Sequence, residues 1–200
     1  ANQGQNAWSH PKGIFYRSSG LDPKGKTVAL FPGQGSQYVN MGKELAINFP
    51  AFREVFERAD ALMAAEGHEP LTSLVFPIPV FSEEERKIQQ EKLTMTENAQ
   101  PAIGAVSMGL YALLRSAGFQ ADFFAGHSFG ELTALWASGV LDDEAYLRLA
   151  IARGQAMSRP DDAGKDCGSM AAVKGDVEKI SQWMQSYPNV RIANFNSPSQ

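Results

Sequence analysis

Within Gly126-His127-Ser128-Phe129-Gly130 a serine stands with a glycine two residues away on either side. The preceding run, Ala121-Asp122-Phe123-Phe124-Ala125, has strand length and is mostly apolar, and Leu132, Leu135 and Trp136 follow at helical spacing. This pattern predicts a strand that ends near the serine and a helix that begins there, the setting of a nucleophile elbow. In such a turn the Ser128 hydroxyl projects from the strand tip. The Phe129 amide, at the head of the helix, points to the same spot and can donate to an oxyanion. The chemistry implied is attack on a carbonyl carbon while charge builds on its oxygen. The plainer reading is a glycine-rich turn with an incidental serine.

A serine nucleophile needs a base within hydrogen-bond reach. The chain has three histidines, His10, His68 and His127. His127 adjoins the serine, and neighbouring side chains on a tight elbow diverge, so it suits a buttress or pocket-lining role better than that of base. His10 and His68 read as solvated histidines. In hydrolases of this topology the base follows the serine in chain order, and no histidine follows Ser128. The base is missing from this chain.

Two further groups bear on the site. Gly33-Gln34-Gly35-Ser36-Gln37 follows the strand-like Thr27–Phe31 and lacks the spacing of a phosphate-binding loop. It is either a plain turn or a loop at the same sheet edge as the elbow, supplying a second oxyanion donor. Arg153 lies in the apolar stripe of a helix read over Leu141–Arg159, near Leu147, Ala150, Ile151 and Met157. There an arginine either snorkels or pairs with an acid, or it forks onto a substrate carboxylate, which guanidinium geometry suits.

The elements that position these residues follow from patterning. Residues 1–26 are rich in Gly, Ser, Asn, Pro and Lys and read as an upstream linker that packs on the domain through Gly13-Ile14-Phe15-Tyr16. Helices are expected near Met41–Asn48 and Ala51–Glu66, separated by Pro50. His68–Ser82 is proline-broken and undecided between strand and helix, and Ser82–Glu91 is a charged helical surface. Glu97–Gly118 reads as the longest buried helix. Asn98 is its possible N-cap, Pro101 lies in its first turn, and Ile103, Val106, Leu110, Leu113 and Leu114 form its apolar face. After residue 163, strand-like Ser169–Val173, helix-like Val177–Gln185 and strand-like Val190–Phe195 suggest the start of a smaller unit. The divisions are thus 1–26, 27–163 and 164–200.

Composition narrows the class. Two hundred residues, 44% hydrophobic and 20% charged, suit one globular domain or one and a half. A net charge of −4 gives no reason to expect nucleic acid or an anionic membrane. No apolar run approaches the roughly 20 residues of a membrane span, and Ala1–Gly25 lacks the apolar centre of a secretory signal. The single cysteine, Cys167, reads as a bystander thiol and fits a reducing compartment, so a cytoplasmic location is expected.

Taken together, Phe31–Gln37, Asn98–Ala102, Gly126–Glu131, Arg153-Gly154 and Ile192–Pro198 resemble the malonyl-CoA:acyl carrier protein transacylases and the acyltransferase domains of fatty acid and polyketide synthases. The likeness runs from about Thr27 to Gln200. The variant Gly-His-Ser-Phe-Gly-Glu-Leu is most similar to domains of polyunsaturated fatty acid synthases and enediyne-type iterative synthases. The resemblance implies an α/β-hydrolase-like large subdomain, incomplete here, and the beginning of a ferredoxin-like small one. It implies Ser128 as acyl-carrying nucleophile, the Gln34 and Phe129 amides as oxyanion hole, and Arg153, His127 and Gln100 as substrate-binding residues. No metal or bound cofactor is implied. The acyl-CoA donor and the phosphopantetheine of an acyl carrier protein are substrates, and the partners are that carrier, neighbouring synthase domains and the missing C-terminal part of the same domain. The catalytic histidine of the family lies downstream of this chain, so a fragment is implied. A serine hydrolase or thioesterase sharing the elbow is the rival enzyme, and a docking or scaffold piece of a synthase is the non-enzymatic one.

Overall fold

A computed structural model describes residues 6–10, 14–20, 25–158 and 168–200. They fall into two compact units, Ala1–Ser158 and Arg159–Gln200. Cys167 and the expected boundary at 163/164 lie outside the described residues.

In the first unit, β1 (Ala7–His10) and β2 (Ile14–Arg17) form an antiparallel hairpin with Trp8 stacked on Tyr16. Part of the expected linker therefore has regular structure. Its Ile14, Phe15 and Tyr16, expected to pack on the domain, are exposed, Phe15 by 79%. The sheet that matters for the site is β3 (Val28–Phe31) paired in parallel with β4 (Phe123–Gly126), Phe31 opposite Gly126. A parallel pair needs a crossover connection. Here it carries α1 (Lys43–Asn48), α2 (Pro50–Ala65), α3 (Leu71–Val75), α4 (Glu83–Thr94) and α5 (Thr96–Ser116). After β4 come α6 (Phe129–Ala137) and α7 (Asp143–Met157).

Local sequence explains most of these boundaries. Pro50 opens α2 at its first turn, where the missing N–H costs nothing, and Phe52, Val55, Phe56, Ala59 and Met63 bury one helical stripe. The stretch left undecided after His68 forms the short α3. Ser82 and Glu85 make a reciprocal capping box at the head of α4. Asp142 caps α7, its carboxylate accepting from the Ala145 N–H at 2.8 Å.

The long helix α5 differs from its expected form in three ways. It begins at Thr96, so Asn98 lies inside it and donates through Nδ2 to the Lys92 carbonyl instead of capping. Pro101 is then the sixth helical residue, in the second turn, where it deprives the Glu97 carbonyl of its usual donor. The buried face is also different. Ala99, Gln100, Ala102, Gly104, Ala105, Ser107 and Gly109 are buried, whereas Leu110 and Leu114 are exposed and Val106 and Leu113 only half-buried. Met108 and Tyr111 are buried beside these small residues, and Gly104 and Gly109 let α6, α7 and α2 approach α5 closely. Ile103 is buried as expected, and Gly118 follows the helix with φ 90°.

Tyr111 of α5 is the aromatic centre of the core, its ring meeting Phe31, Phe119, Phe124 and Trp136 edge-on at 5.7–6.4 Å. These contacts join α5 to both strands and to α6.

In the second unit α8 (Val177–Met184) forms where expected, capped by Asp176. The flanking segments 169–173 and 190–195 are not paired in a sheet. Both are exposed, and a strand exists only through ladder hydrogen bonds to a neighbour, which alternating apolar residues alone do not supply.

Candidate functional site

The turn between β4 and α6 is built by exclusion. A Cβ on Gly126 would lie 2.0 Å from the Gly130 backbone, and one on Gly130 would lie 2.1 Å from the Phe31 carbonyl oxygen. Glycine at both positions is therefore a steric requirement, and it lets the chain reverse within five residues. The strain falls on Ser128, which sits at φ 54°, ψ −111° immediately before α6. An L-residue reaches that region only when its surroundings force it, at a cost of about 1–3 kcal/mol. The Gly130 N–H donates to His127 O at 2.9 Å, and the Glu131 N–H to Ser128 O at 3.1 Å. The Phe129 N–H heads the helix, where geometry provides no intrahelical acceptor. Its ring is fully buried and stands where a Cβ on Gly104 would come within 3.1 Å of it.

The loop after β3 lies on this turn. A Cβ on Gly33 would be 2.4 Å from the His127 carbonyl oxygen and 3.5 Å from the Phe129 nitrogen. Gln34, next in the chain, therefore passes beside the head of α6. Its side chain is held from elsewhere: Nε2 donates to Thr96 Oγ1 at 3.1 Å. Inside the loop Ser36 Oγ donates to Gly33 O at 2.9 Å, and the Gly35 N–H to Gln37 Oε1 at 2.8 Å.

Arg153, half-buried on α7, donates through Nη1 to Gln100 Oε1 at 2.6 Å. Gln100 is only 1% exposed, and its Nε2 donates to Met157 Sδ at 3.6 Å. Among the described residues no carboxylate pairs with Arg153, although a guanidinium carries five donors. Gly154 brings the two helices together, since a Cβ there would be 3.1–3.2 Å from Thr96 O and from Glu97 Cα and O.

Arg153 is thus bonded to Gln100 and Gln34 to Thr96 on the same helix, and Gly33, next to Gln34, packs on the Ser128 turn. All the candidate site residues read from the sequence belong to this one region. Thr96 is an addition that sequence reasoning misses, because the expected helix begins one residue too late to include it. Yet Thr96, Gln100 and Gly104 at intervals of four are a visible signal once the helix is known.

Among the described residues no histidine other than His127 stands beside the serine. Its side chain is exposed, and its backbone N–H donates to Phe31 O at 3.2 Å. His10 is in β1, and His68, half-buried rather than solvated, lies 3.8 Å from the Glu66 carboxylate. Two perturbed groups near the framework are structural in character. Burial pushes the Tyr146 hydroxyl well above its usual range, against a 2.8 Å hydrogen bond to Thr133. Burial also raises Asp143, but hydrogen bonds from Trp136 and Arg58 outweigh it and leave the carboxyl below its ordinary value. Among the described residues no group of three His, Cys, Asp or Glu is placed to hold a metal, and no helix is long and apolar enough to cross a membrane.

Known proteins share this arrangement of sequence and fold. The family described as "Acyl transferase domain" matches residues 28–200. One chain of the polyunsaturated fatty acid synthase of Thraustochytrium sp. is 36% identical over 203 residues, covering 98% of this chain and 7% of that protein. Malonyl CoA-acyl carrier protein transacylase of Bacillus subtilis is 37% identical over 180 residues, 88% of this chain and 52% of that protein. The crystal structure of an acyl carrier protein S-malonyltransferase from Vibrio cholerae superposes with a TM-score of 0.70 at 32% identity, over 88% of this chain and 54% of that one. The chain spans about half the length of these transacylase and malonyltransferase relatives and a small part of the synthase. It is a mixed α/β chain and belongs to the acyl transferase domain family.

Proposed function

We propose that this chain is the N-terminal part of an acyltransferase domain that moves a malonyl-type group from CoA to an acyl carrier protein through an ester on Ser128. The observation that carries the reading is convergence on one turn. A strained serine stands at the head of α6, the Gly33-Gln34 backbone lies across it, and α5 is bonded to both Gln34 and Arg153.

In the first half-reaction Ser128 Oγ attacks the thioester carbon of malonyl-CoA. The Oγ–C bond forms, the C–S bond breaks, and the serine proton passes through a base to the departing CoA sulfur. The Phe129 and Gln34 amides stabilise the oxyanion; one such donor is worth about 3–4 kcal/mol in the transition state. In the second half-reaction the phosphopantetheine thiol of the carrier attacks the ester carbon, the C–Oγ bond breaks and the proton returns to Ser128. Arg153 holds the free carboxylate of the acyl group, with Gln100 fixing the guanidinium from behind and His127 lining the pocket. The base is a histidine supplied by the remainder of the domain, as the double length of the transacylase relatives supports. Residues 27–163 then belong to an α/β-hydrolase-like subdomain and 164–200 to a ferredoxin-like one, in a synthase whose neighbouring domains include the carrier.

Intact mass of the full protein, before and after brief exposure to malonyl-CoA, tests this. A malonyl-sized gain that disappears in Ser128→Ala is expected, with Arg153→Ala losing preference for the carboxylated donor over acetyl-CoA. Acylation that survives Ser128→Ala refutes the reading. An Arg153→Ala variant that keeps its donor preference points to a hydrolase of neutral esters.

A further inference from the structure

Thr96, Gln100 and Gly104 are four residues apart on α5, so they line one stripe of the helix. Each meets a different part of the site. Thr96 Oγ1 accepts from Gln34 Nε2 at 3.1 Å, Gln100 Oε1 accepts from Arg153 Nη1 at 2.6 Å, and Gly104 makes room for the Phe129 ring. Gly33 is fixed by its fit against the His127 carbonyl, whereas Gln34 is exposed, and Gly35 beyond it has φ 107°. The Gln34 amide therefore has a rigid neighbour on one side and a permissive glycine on the other. The hydrogen bond to Thr96 is the contact that ties the Gln34 side chain to a packed helix.

From this geometry we infer that Thr96 is a positioning residue: it holds the Gln34 peptide in the orientation that donates to the oxyanion. The inference rests on the acyl-serine reading above and adds to it a residue that never touches substrate. Thr96 is itself well anchored. It opens a largely buried helix, and its carbonyl lies in close packing against Gly154 of α7. A donor aimed in advance serves the transition state, where the charge appears, more than the ground state. Losing Thr96 Oγ1 should therefore lower kcat and leave KM for malonyl-CoA in place. Losing the Arg153 contact should do the reverse, because the carboxylate is bound in both states.

Steady-state transfer from malonyl-CoA to phosphopantetheinylated carrier by the full protein provides the test. Thr96→Val keeps the β-branched shape and removes the acceptor. A kcat lower by roughly tenfold is expected, with KM changed less than about twofold. Thr96→Ser restores the acceptor and should recover most of the rate. Gln34→Ala breaks the same bond from an exposed loop, so its loss should match that of Thr96→Val, and the double variant should be no slower than either. If Thr96→Val does not fold, Gln34→Ala compared with Thr96→Ser still reads the bond. A wild-type kcat in either single variant, a loss confined to KM, or multiplying losses in the double variant would overturn the inference. Ser128→Ala in the same assay keeps the two failures apart: transfer that survives it removes the acyl-serine reading itself.

Discussion

At the scale of single residues, the site is governed by which backbone and side-chain groups are left no alternative. Ser128 occupies its strained conformation because Gly126 and Gly130 pack against backbone atoms on both sides of it. Gln100 is a buried amide whose oxygen faces a cation and whose nitrogen, among the described residues, faces only the weak acceptor Met157 Sδ. Its best-satisfied contact is therefore the one to Arg153, and the positive charge makes that hydrogen bond strong. Replacing Gln100 with Leu keeps the volume and removes the acceptor. The expected outcome is a fall of about tenfold or more in kcat/KM for malonyl-CoA, with little change for acetyl-CoA, which has no carboxylate to place. Equal losses for both donors would show that Gln100 supports the pocket in general and not the arginine.

At the scale of elements, the β3–β4 pair carries the two loops that meet at the serine, and its far end is held by charge. Asp122, just before β4, accepts from Lys26 Nζ at 2.7 Å and from the Thr27 N–H at 2.9 Å. The Lys26 hydrogen bond, then the Thr27 one, holds its carboxyl below its ordinary value, outweighing a smaller desolvation that acts the other way. A depressed carboxylate pKa means that folding favours the ionised form. The contribution is present above the unfolded-state value near pH 4 and is lost as pH falls through the folded-state value. Urea unfolding midpoints of the wild type and Asp122→Asn, measured from pH 7 to pH 2, should differ most at neutral pH and converge in acid. A gap that persists at pH 2 would assign the effect to packing instead. α5 shows a different rule at the same scale. Periodicity points its leucines at the core, but packing against its neighbouring helices selects a face where alanines and glycines stand among Ile103, Met108 and Tyr111. Sequence periodicity reports that a helix has an apolar side, and only the partners determine how close they need to come.

At the scale of the whole molecule, the parallel sheet is narrow. Among the described residues β3 pairs only with β4. On its outer side Leu30 is 74% exposed, above a groove of about 530 Å³ that Tyr38, Leu110 and Leu114 also line. Parallel strands are ordinarily covered on both faces, and an uncovered apolar edge is a site of association. The isolated chain should accordingly self-associate, with light scattering that rises with concentration. Leu30→Lys, a change at a solvent-facing position, should reduce this while leaving the helical circular dichroism signal intact. Unchanged scattering in Leu30→Lys would place the sticky surface elsewhere.

The strand–turn–helix at Ser128, the glycine-rich loop after β3 and the family are all legible in the sequence alone. Each rests on local chemistry: glycines at fixed offsets around a serine, a glycine-rich loop directly after a strand, and motifs read in order along the chain. The helices α2, α4 and α7 are legible in outline, since their stripes or caps are written within a few residues, whereas α3 falls in a stretch that periodicity leaves undecided and α5 turns a different face inward. Which roles Gln100 and Arg153 play toward each other is not legible, because their pairing spans 53 positions and depends on Gly154 letting α7 touch α5. The same holds for Thr96 and Gln34, 62 positions apart. The two strand-like segments of the second unit mislead for the same reason, as pairing is a relation between distant segments and not a property of either. Tertiary structure decided these points because a hydrogen bond or a close approach needs two partners in space, and sequence states only one of them at a time.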